Sequence, residues 1–355
     1  MRQASAPVDR GHQKGPPDRP LALRRQPTGI GDFVPDDAST AGPDAHRQWR
    51  AILLTSLLCS LPALSPVFEG LRTFIPLAPF YYSTTMGEKV SRHICLFAFI
   101  ITGIVSLLAG NIGNALFPLT LFPVGLALAW ALKRKKSIAW AGLTATLLVL
   151  AGWLIGALLF WQASGTNPYS AALSVMDHAF ASMAEAYTSS GDFAPEVAAE
   201  IEQGFIDARR QLPRIFPALL IISAMLVSWL NMALGNRLLD RHAPDYAAWP
   251  PYRCWRLPDN LIWLVILAGI MMIPPVTSLK TVGLNGLLIT GTLYFFQGLA
   301  VLFAMMERWN PPRPIRIFIY IFIFIQTYSL VLLALLGIID VWKDLGKIYE
   351  EDAAP

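Results

Sequence analysis

The stretch Ile138-Ala-Trp-Ala-Gly-Leu-Thr-Ala-Thr-Leu-Leu-Val-Leu-Ala-Gly-Trp-Leu-Ile-Gly-Ala-Leu-Leu-Phe-Trp-Gln162 decides the fold class. It carries no charged side chain, and a helix rising 1.5 Å per residue needs about 20 apolar residues to cross a hydrocarbon core. Similar runs cover roughly 93–110, 114–132, 213–236, 260–279, 283–306 and 315–340. The 355-residue chain is 54% hydrophobic and only 15% charged, with mean hydropathy +0.47. A soluble domain carries about 25% charged residues, so a soluble enzyme, an all-β sandwich and a disordered chain are excluded. The reading is all-α: one polytopic membrane domain over residues 51–345.

The first apolar stretch is interrupted. Ala51–Pro66 is apolar, Glu69 and Arg72 intrude, and Phe74–Tyr82 is apolar again. Residues 51–87 are too many for one straight crossing, so two short helices broken near Pro66–Arg72 are expected. The total is then nine segments, or eight if this stretch crosses once.

Loop charges orient the chain. Lys133-Arg134-Lys135-Lys136 holds four cations and no acid. Arg237, Arg241, Arg253 and Arg256 mark the loop 237–258, and Arg308, Arg313 and Arg316 mark 307–316. Even numbers of crossings separate these loops, so the positive-inside rule places all three in the cytoplasm and puts 163–212 outside. The same rule explains the net charge of +4 without nucleic acid. Localisation to a bacterial cytoplasmic membrane is expected.

Residues 1–50 contain seven Pro, five Gly, eight Arg or Lys and six Asp. They read as a disordered polar tail. No apolar core of a signal peptide follows within the first 30 residues. Residues 346–355 read as a short polar tail. In the outer segment, Leu173, Met176, Phe180, Met183 and Tyr187 form one helical stripe, and Val197, Ile201, Phe205 and Ala208 form another. An amphipathic helical hairpin on the outer face is expected over 163–212, either capping a cavity or packed on the bundle or lipid interface.

Polar residues inside spans are candidates because burying them unpaired is costly. On 283–306, Gly283, Gly286, Thr290, Tyr294 and Gln297 share an arc of about 80°. They line a solute cavity or serve close helix packing. Asn111 and Asn114 flank a Gly turn near the outer surface, as coordinating amides or as ordinary turn residues. Ser228, Asn231 and Gly235 share a face of 213–236. Asp340 closes the last helix beside Trp342 and can pair with a neighbouring cation. The tentative solute-binding set is Asn111, Asn114, Asn231, Thr290, Tyr294 and Gln297.

Catalytic patterns are missing: there is no H-E-x-x-H, G-x-S-x-G or P-loop. Cys59, Cys95 and Cys254 are scattered and form no metal motif. No enzyme activity, cofactor or metal is expected, and no paired inverted repeat is evident.

Three segments carry a family resemblance: Pro251-Tyr-Arg-Cys-Trp-Arg-Leu-Pro258, Leu293-Tyr-Phe-Phe-Gln-Gly-Leu-Ala-Val301 and Leu336-Gly-Ile-Ile-Asp-Val-Trp-Lys-Asp344. Their order and spacing resemble the YybS-like family of predicted bacterial multi-pass membrane proteins, whose function is unknown. That resemblance implies a distant kinship with the substrate-binding subunits of energy-coupling-factor transporters and with small envelope-morphogenesis proteins. It therefore implies a bound small molecule and a separate ATPase module, or envelope partners. The transporter subunits meet their partner through Ala-x-x-x-Ala on the first helix. Here Ser56 and Ser60 hold that spacing, which puts coupling to the usual ATPase module in doubt. The functional expectation is a solute-binding or transport-associated subunit, with a non-transporting envelope or division scaffold as the alternative.

Overall fold

The computed structural model describes residues 43–110, 112–189, 194–246 and 248–343. Most of the segment read as a polar tail, and all of 346–355, lie outside the described residues. Helix α1 (Pro43–Leu64) starts inside the tail boundary drawn at residue 50. It is followed by a 3-10 segment (Pro66–Phe74) and the short α2 (Leu77–Thr85). Then come α3 (Glu88–Leu108), α4 (Leu116–Lys133), α5 (Ile138–Ser164), α6 (Pro168–Ser189) and α7 (Pro195–His242). The chain closes with α8 (Ile262–Met271), α9 (Thr277–Trp309), α10 (Arg313–Ile325) and α11 (Thr327–Lys343). No strand occurs among the described residues.

The chain is all-α, and five of its described helices are long and apolar enough to cross a membrane: α3, α4, α5, α7 and α9. A sixth is reached if α10 and α11, bent by 103° at their junction, count together. The sequence count of eight or nine falls to this number for local reasons. The run 260–279 holds only the ten-residue α8, because Pro274 and Pro275 remove two backbone donors and end it. The run 315–340 breaks at Gln326, whose backbone is extended. The stretch 51–87 is split near the expected place, at Ser65, which caps the 3-10 segment by accepting from the Val67 N–H, but its second helix, α2, has only nine residues.

Small residues set the packing. α1 lies along α3, with Ser60 and Thr102 hydroxyls 3.3 Å apart. α2 is wedged between α4 and α7: a Cβ on Gly125 would overlap the Pro76 carbonyl oxygen, and one on Gly235 the Phe80 ring. Phe80 is fully buried and stacks on Trp249 at 5.8 Å. At the basic loop, Arg134 and Lys136 lie over the rings of Trp130 and Trp140, the aromatic and cationic pairing of a membrane boundary. Lys133 Nζ donates to the Ser83 carbonyl at 2.6 Å and ties the end of α2 to this side.

The 163–212 segment departs from a self-contained hairpin. Its second arm is the first part of α7, a continuous helix of 48 residues. At 1.5 Å per residue that is about 72 Å, over twice the hydrocarbon thickness. The two amphipathic stripes face each other, through Phe180 against Phe205 and through Arg209, which donates to both carboxylate oxygens of Asp177 at 2.5 and 2.7 Å. α7 runs through both Pro213 and Pro217, and side chains repair the ladder at the second. Pro217 offers no N–H to the Pro213 carbonyl, and the Tyr169 hydroxyl donates there instead at 3.1 Å. Asn285 of α9 bridges the next pair: its Nδ2 donates to the Arg214 carbonyl at 2.7 Å, and its Oδ1 accepts from the Ala218 N–H at 2.9 Å. Such repair is how a proline survives in a membrane helix.

Candidate functional site

Residues 248–258 form a strap folded against α7 and α9. Asn236 of α7 fixes its start: Oδ1 accepts from the Trp249 N–H at 2.7 Å, and Nδ2 donates to the Trp249 carbonyl at 3.0 Å. Trp249 Nε1 donates to the Lys136 carbonyl, and Trp255 Nε1 to the Pro250 carbonyl. The Tyr252 hydroxyl donates to the Phe296 carbonyl of α9 at 2.6 Å, and burial pushes this phenol well above its ordinary pKa. Trp229 stacks flat on Phe296 at 4.8 Å and meets Tyr252 edge-on at 5.6 Å. At the rim, Arg253 pairs with Glu307.

The strap delivers Arg256 and Leu257 to a buried polar cluster. Gln297 Nε2 donates to Asp340 Oδ2 at 2.8 Å, and Gln297 Oε1 accepts from the Leu257 N–H at 3.4 Å. Arg256 lies 3.7 Å from the other oxygen of Asp340. Asp340 is 1% exposed and Gln297 6%. One charge pair and one amide therefore sit where the strap, α9 and α11 meet. The three segments that carried the family resemblance are 251–258, 293–301 and 336–344, and each contributes one side chain.

Backbone contact holds the cluster shut. A Cβ on Gly298 would overlap the Leu333 carbonyl oxygen and lie 2.7 Å from its carbon. One on Gly337 would overlap the Tyr294 carbonyl oxygen and lie 2.8 Å from the Gly298 nitrogen. α9 and α11 thus cross with main chains touching, as small residues allow. On the same stripe, Gly283 and Gly286 let α8 approach: their added Cβ atoms would lie 2.8 Å from the Ala268 carbonyl oxygen and 3.0 Å from its Cβ.

Among the described residues, the tentative solute-binding side chains are not all brought together. Thr290 bonds back along its own helix, to the Gly286 carbonyl at 2.7 Å. Tyr294 is fully buried, and its hydroxyl has no hydrogen-bond partner among the described residues. Gln297 joins Asp340 and Arg256. Asn231 sits elsewhere, where its Nδ2 donates to the Thr73 and Val227 carbonyls at 2.6 and 2.7 Å. That fastens the 3-10 segment to α7. Asn111 lies outside the described residues, as does the side chain of Asn114. Ser56 and Ser60 are buried, so the face that would substitute for the partner motif is covered inside the chain. Among the described residues no three His, Cys, Asp or Glu come together as a metal site requires.

Sequence reading missed two participants. Arg256 reads in the sequence only as a topology marker, one of the four arginines of the loop 237–258. Asn285, one residue before Gly286, was not singled out. Its signal was an amide within an otherwise apolar run.

Residues 53–341 match the model of a family described as predicted membrane protein (DUF2232). Among curated proteins, the chain is 25% identical over 129 residues to the uncharacterized protein YybS of Bacillus subtilis (strain 168), covering 36% of this chain. That alignment spans 42% of the relative's length. No solved structure matches.

Proposed function

The chain belongs to this family of predicted membrane proteins, and from that premise we propose that it is a solute-binding or transport-associated subunit of a bacterial cytoplasmic membrane, similar in role to the substrate components of energy-coupling-factor transporters. The observation that carries the reading is the buried Tyr294 hydroxyl, unpartnered among the described residues and one helical turn from the Gln297–Asp340–Arg256 cluster. A buried hydroxyl without a partner costs about 1–3 kcal/mol. Asp340 is a buried acid within the apolar helix α11, and an ionisable group in a membrane helix marks a solute or ion path by default. A small zwitterionic solute suits the cluster, since it offers one charge to Arg256, one to Asp340 and a hydrogen bond to Tyr294. The site forms when α8 and α11 part from α9. The chain binds without catalysis and needs no cofactor. A coupling ATPase would dock away from Ser56 and Ser60, whose face α3 occupies.

Ligand-induced thermal stabilisation tests this. A panel of amino acids and polar vitamins is screened against the wild type, Tyr294→Phe and Gln297→Leu. The expected outcome is a stabilising solute whose effect vanishes in both variants, while Tyr294→Phe alone keeps or gains basal stability. Equal stabilisation of Tyr294→Phe and the wild type refutes the site.

A second reading, a non-transporting scaffold of an envelope or division complex, is favoured by the α6–α7 arm. Val175, Met183, Val197 and Ile206 are exposed there, beyond the length of α7 that a bilayer needs. Co-purification of envelope proteins that is lost on replacing these four by Ser supports this reading over the first.

A further inference from the structure

A groove of about 340 Å³ opens between α1, α2 and the end of α7, away from the cluster described above. Its lining includes Leu54 and Leu58 of α1, Leu77 and Tyr82 of α2, and Leu238 and His242 of α7. The lining is mostly aliphatic, and its polar members are Thr55, Tyr81, Tyr82 and His242. On α1, Arg47, Arg50, Leu54 and Leu58 fall within about an 80° arc at 100° per residue. The two arginines therefore continue the groove-facing stripe past its aliphatic part. Their charges act on the Tyr82 hydroxyl. Neither forms an ion pair among the described residues, and both are exposed. His242, in the last turn of α7, also lines the groove, Arg241 precedes it in sequence, and Asp240 lies across α7 from Leu238.

The arginine end of the stripe lies at the basic boundary of the bundle. Lys133, the first residue of the loop 133–136, donates to the Ser83 carbonyl, the residue after Tyr82. Leu54 is 58% exposed, so the groove faces the surroundings of the bundle and is not sealed inside it. An apolar trough beside a membrane boundary, ending in cations and a phenol, has the chemistry of an amphiphile with an anionic head. Basic pockets between membrane helices on the cytoplasmic side bind anionic headgroups in this way.

We propose that the α1–α2–α7 groove is a binding site for one anionic glycerophospholipid of the leaflet on the basic-loop side, with an acyl chain along Leu54, Leu58, Leu77 and Leu238 and the phosphate at Arg47, Arg50 and His242. The lipid fastens the two halves of the first apolar stretch to the end of α7. It is separate from the solute site, since none of its residues belongs to the cluster.

Native mass spectrometry of the full-length chain tests it, released from nanodiscs that contain phosphatidylglycerol and phosphatidylcholine in equal amounts. The wild type is expected to retain one phosphatidylglycerol in preference to phosphatidylcholine. A basic residue near an anionic lipid surface contributes about fivefold in affinity, so Arg47→Gln with Arg50→Gln is expected to weaken retention about thirtyfold. Arg47→Lys with Arg50→Lys is expected to keep most of it. Leu54→Trp, which fills the trough and leaves the cations in place, is expected to lower retention of the same lipid. Equal retention of both lipids overturns the proposal, because the groove is then an unselective apolar contact. Protection of the wild type against heat by inorganic phosphate alone, equal to that by phosphatidylglycerol, also overturns it in favour of a soluble anion. A second copy of the chain or a co-purifying protein in place of lipid overturns it as well.

Discussion

Gly298→Ala tests the closed seam between α9 and α11 by adding one methyl group. The new Cβ would overlap the Leu333 carbonyl oxygen and sit 2.7 Å from its carbon, where ordinary contact begins at 3.4 Å. Both obstacles are backbone, so no rotamer change relieves them. The overlap with the oxygen sets the movement: α11 must retreat by about 1.6 Å, which takes the 2.8 Å bond from Gln297 to Asp340 beyond hydrogen-bond length. Overpacking of this kind costs about 1–3 kcal/mol. Separating a buried charge from its partners costs about 3–5 kcal/mol when complete. The expected loss is therefore about 3–5 kcal/mol, since the retreat breaks the bond from Gln297 and loosens the pair with Arg256. Gly291→Ala is the control on the same helix, because nothing lies within 4 Å of its added Cβ. That change is expected to be neutral or stabilising by about 0.5–1 kcal/mol. The assay is thermal unfolding of both variants in one mild detergent, followed by size-exclusion fluorescence. If Gly298→Ala unfolds at the temperature of Gly291→Ala, the two backbones are not in contact and the seam is wrongly described.

Two further changes probe the arm. Asn285→Ala removes the amide that bridges the Arg214 carbonyl and the Ala218 N–H. It is expected to cost about 1–3 kcal/mol and to raise hydrogen exchange at 214–218 while leaving α4 unchanged; unaltered exchange there removes Asn285 from the repair of α7. The Arg209 guanidinium, by hydrogen bonding, holds the Asp177 carboxyl below the usual carboxylate range. A pKa depressed in the folded state means the pairing contributes fully above the unfolded value, about 3.9, and is lost as pH falls through the lower folded value. Protease protection of α6 is expected to hold down to about pH 4, then drop on further acidification. Asp177→Asn is expected to abolish that step, and an unchanged step assigns it to another group.

Much of the helical layout was legible in sequence. The boundaries of α3, α4 and α5 fall within a few residues of their apolar runs, because uniform hydrophobicity of membrane-spanning length has one solution. The basic loop at 133–136 and the facing stripes of α6 and α7 were visible for the same local reason. What was hidden depends on partners far along the chain. Pro213 and Pro217 look like a helix boundary until Tyr169 and Asn285 are seen to repair it. Pro274 and Pro275 act in the opposite direction: they end α8, yet the hydropathy of 260–279 masks the break.

The candidate site was half legible for a related reason. Small and polar residues on one face of α9 suit a solute cavity and a tight crossing equally well, and only the backbone contacts at Gly298 and Gly337 decide what most of that face does. Gln297 and Asp340 each stand out in the sequence, but nothing local pairs them across 43 positions. Arg256 read as a topology signal because a cation before a span has that meaning by default. Its inward placement follows from the aromatic strap that carries it.

The most direct test of the central claim, that strap, α9 and α11 meet in one charged cluster, is a double-mutant cycle on Arg256→Gln and Asp340→Asn, read by thermal unfolding in nanodiscs. Each single change strands a partner, so the pair removed together is expected to cost less than the sum by about 0.5–3 kcal/mol. Strictly additive losses would mean that Arg256 and Asp340 do not share a site, and would contradict the account.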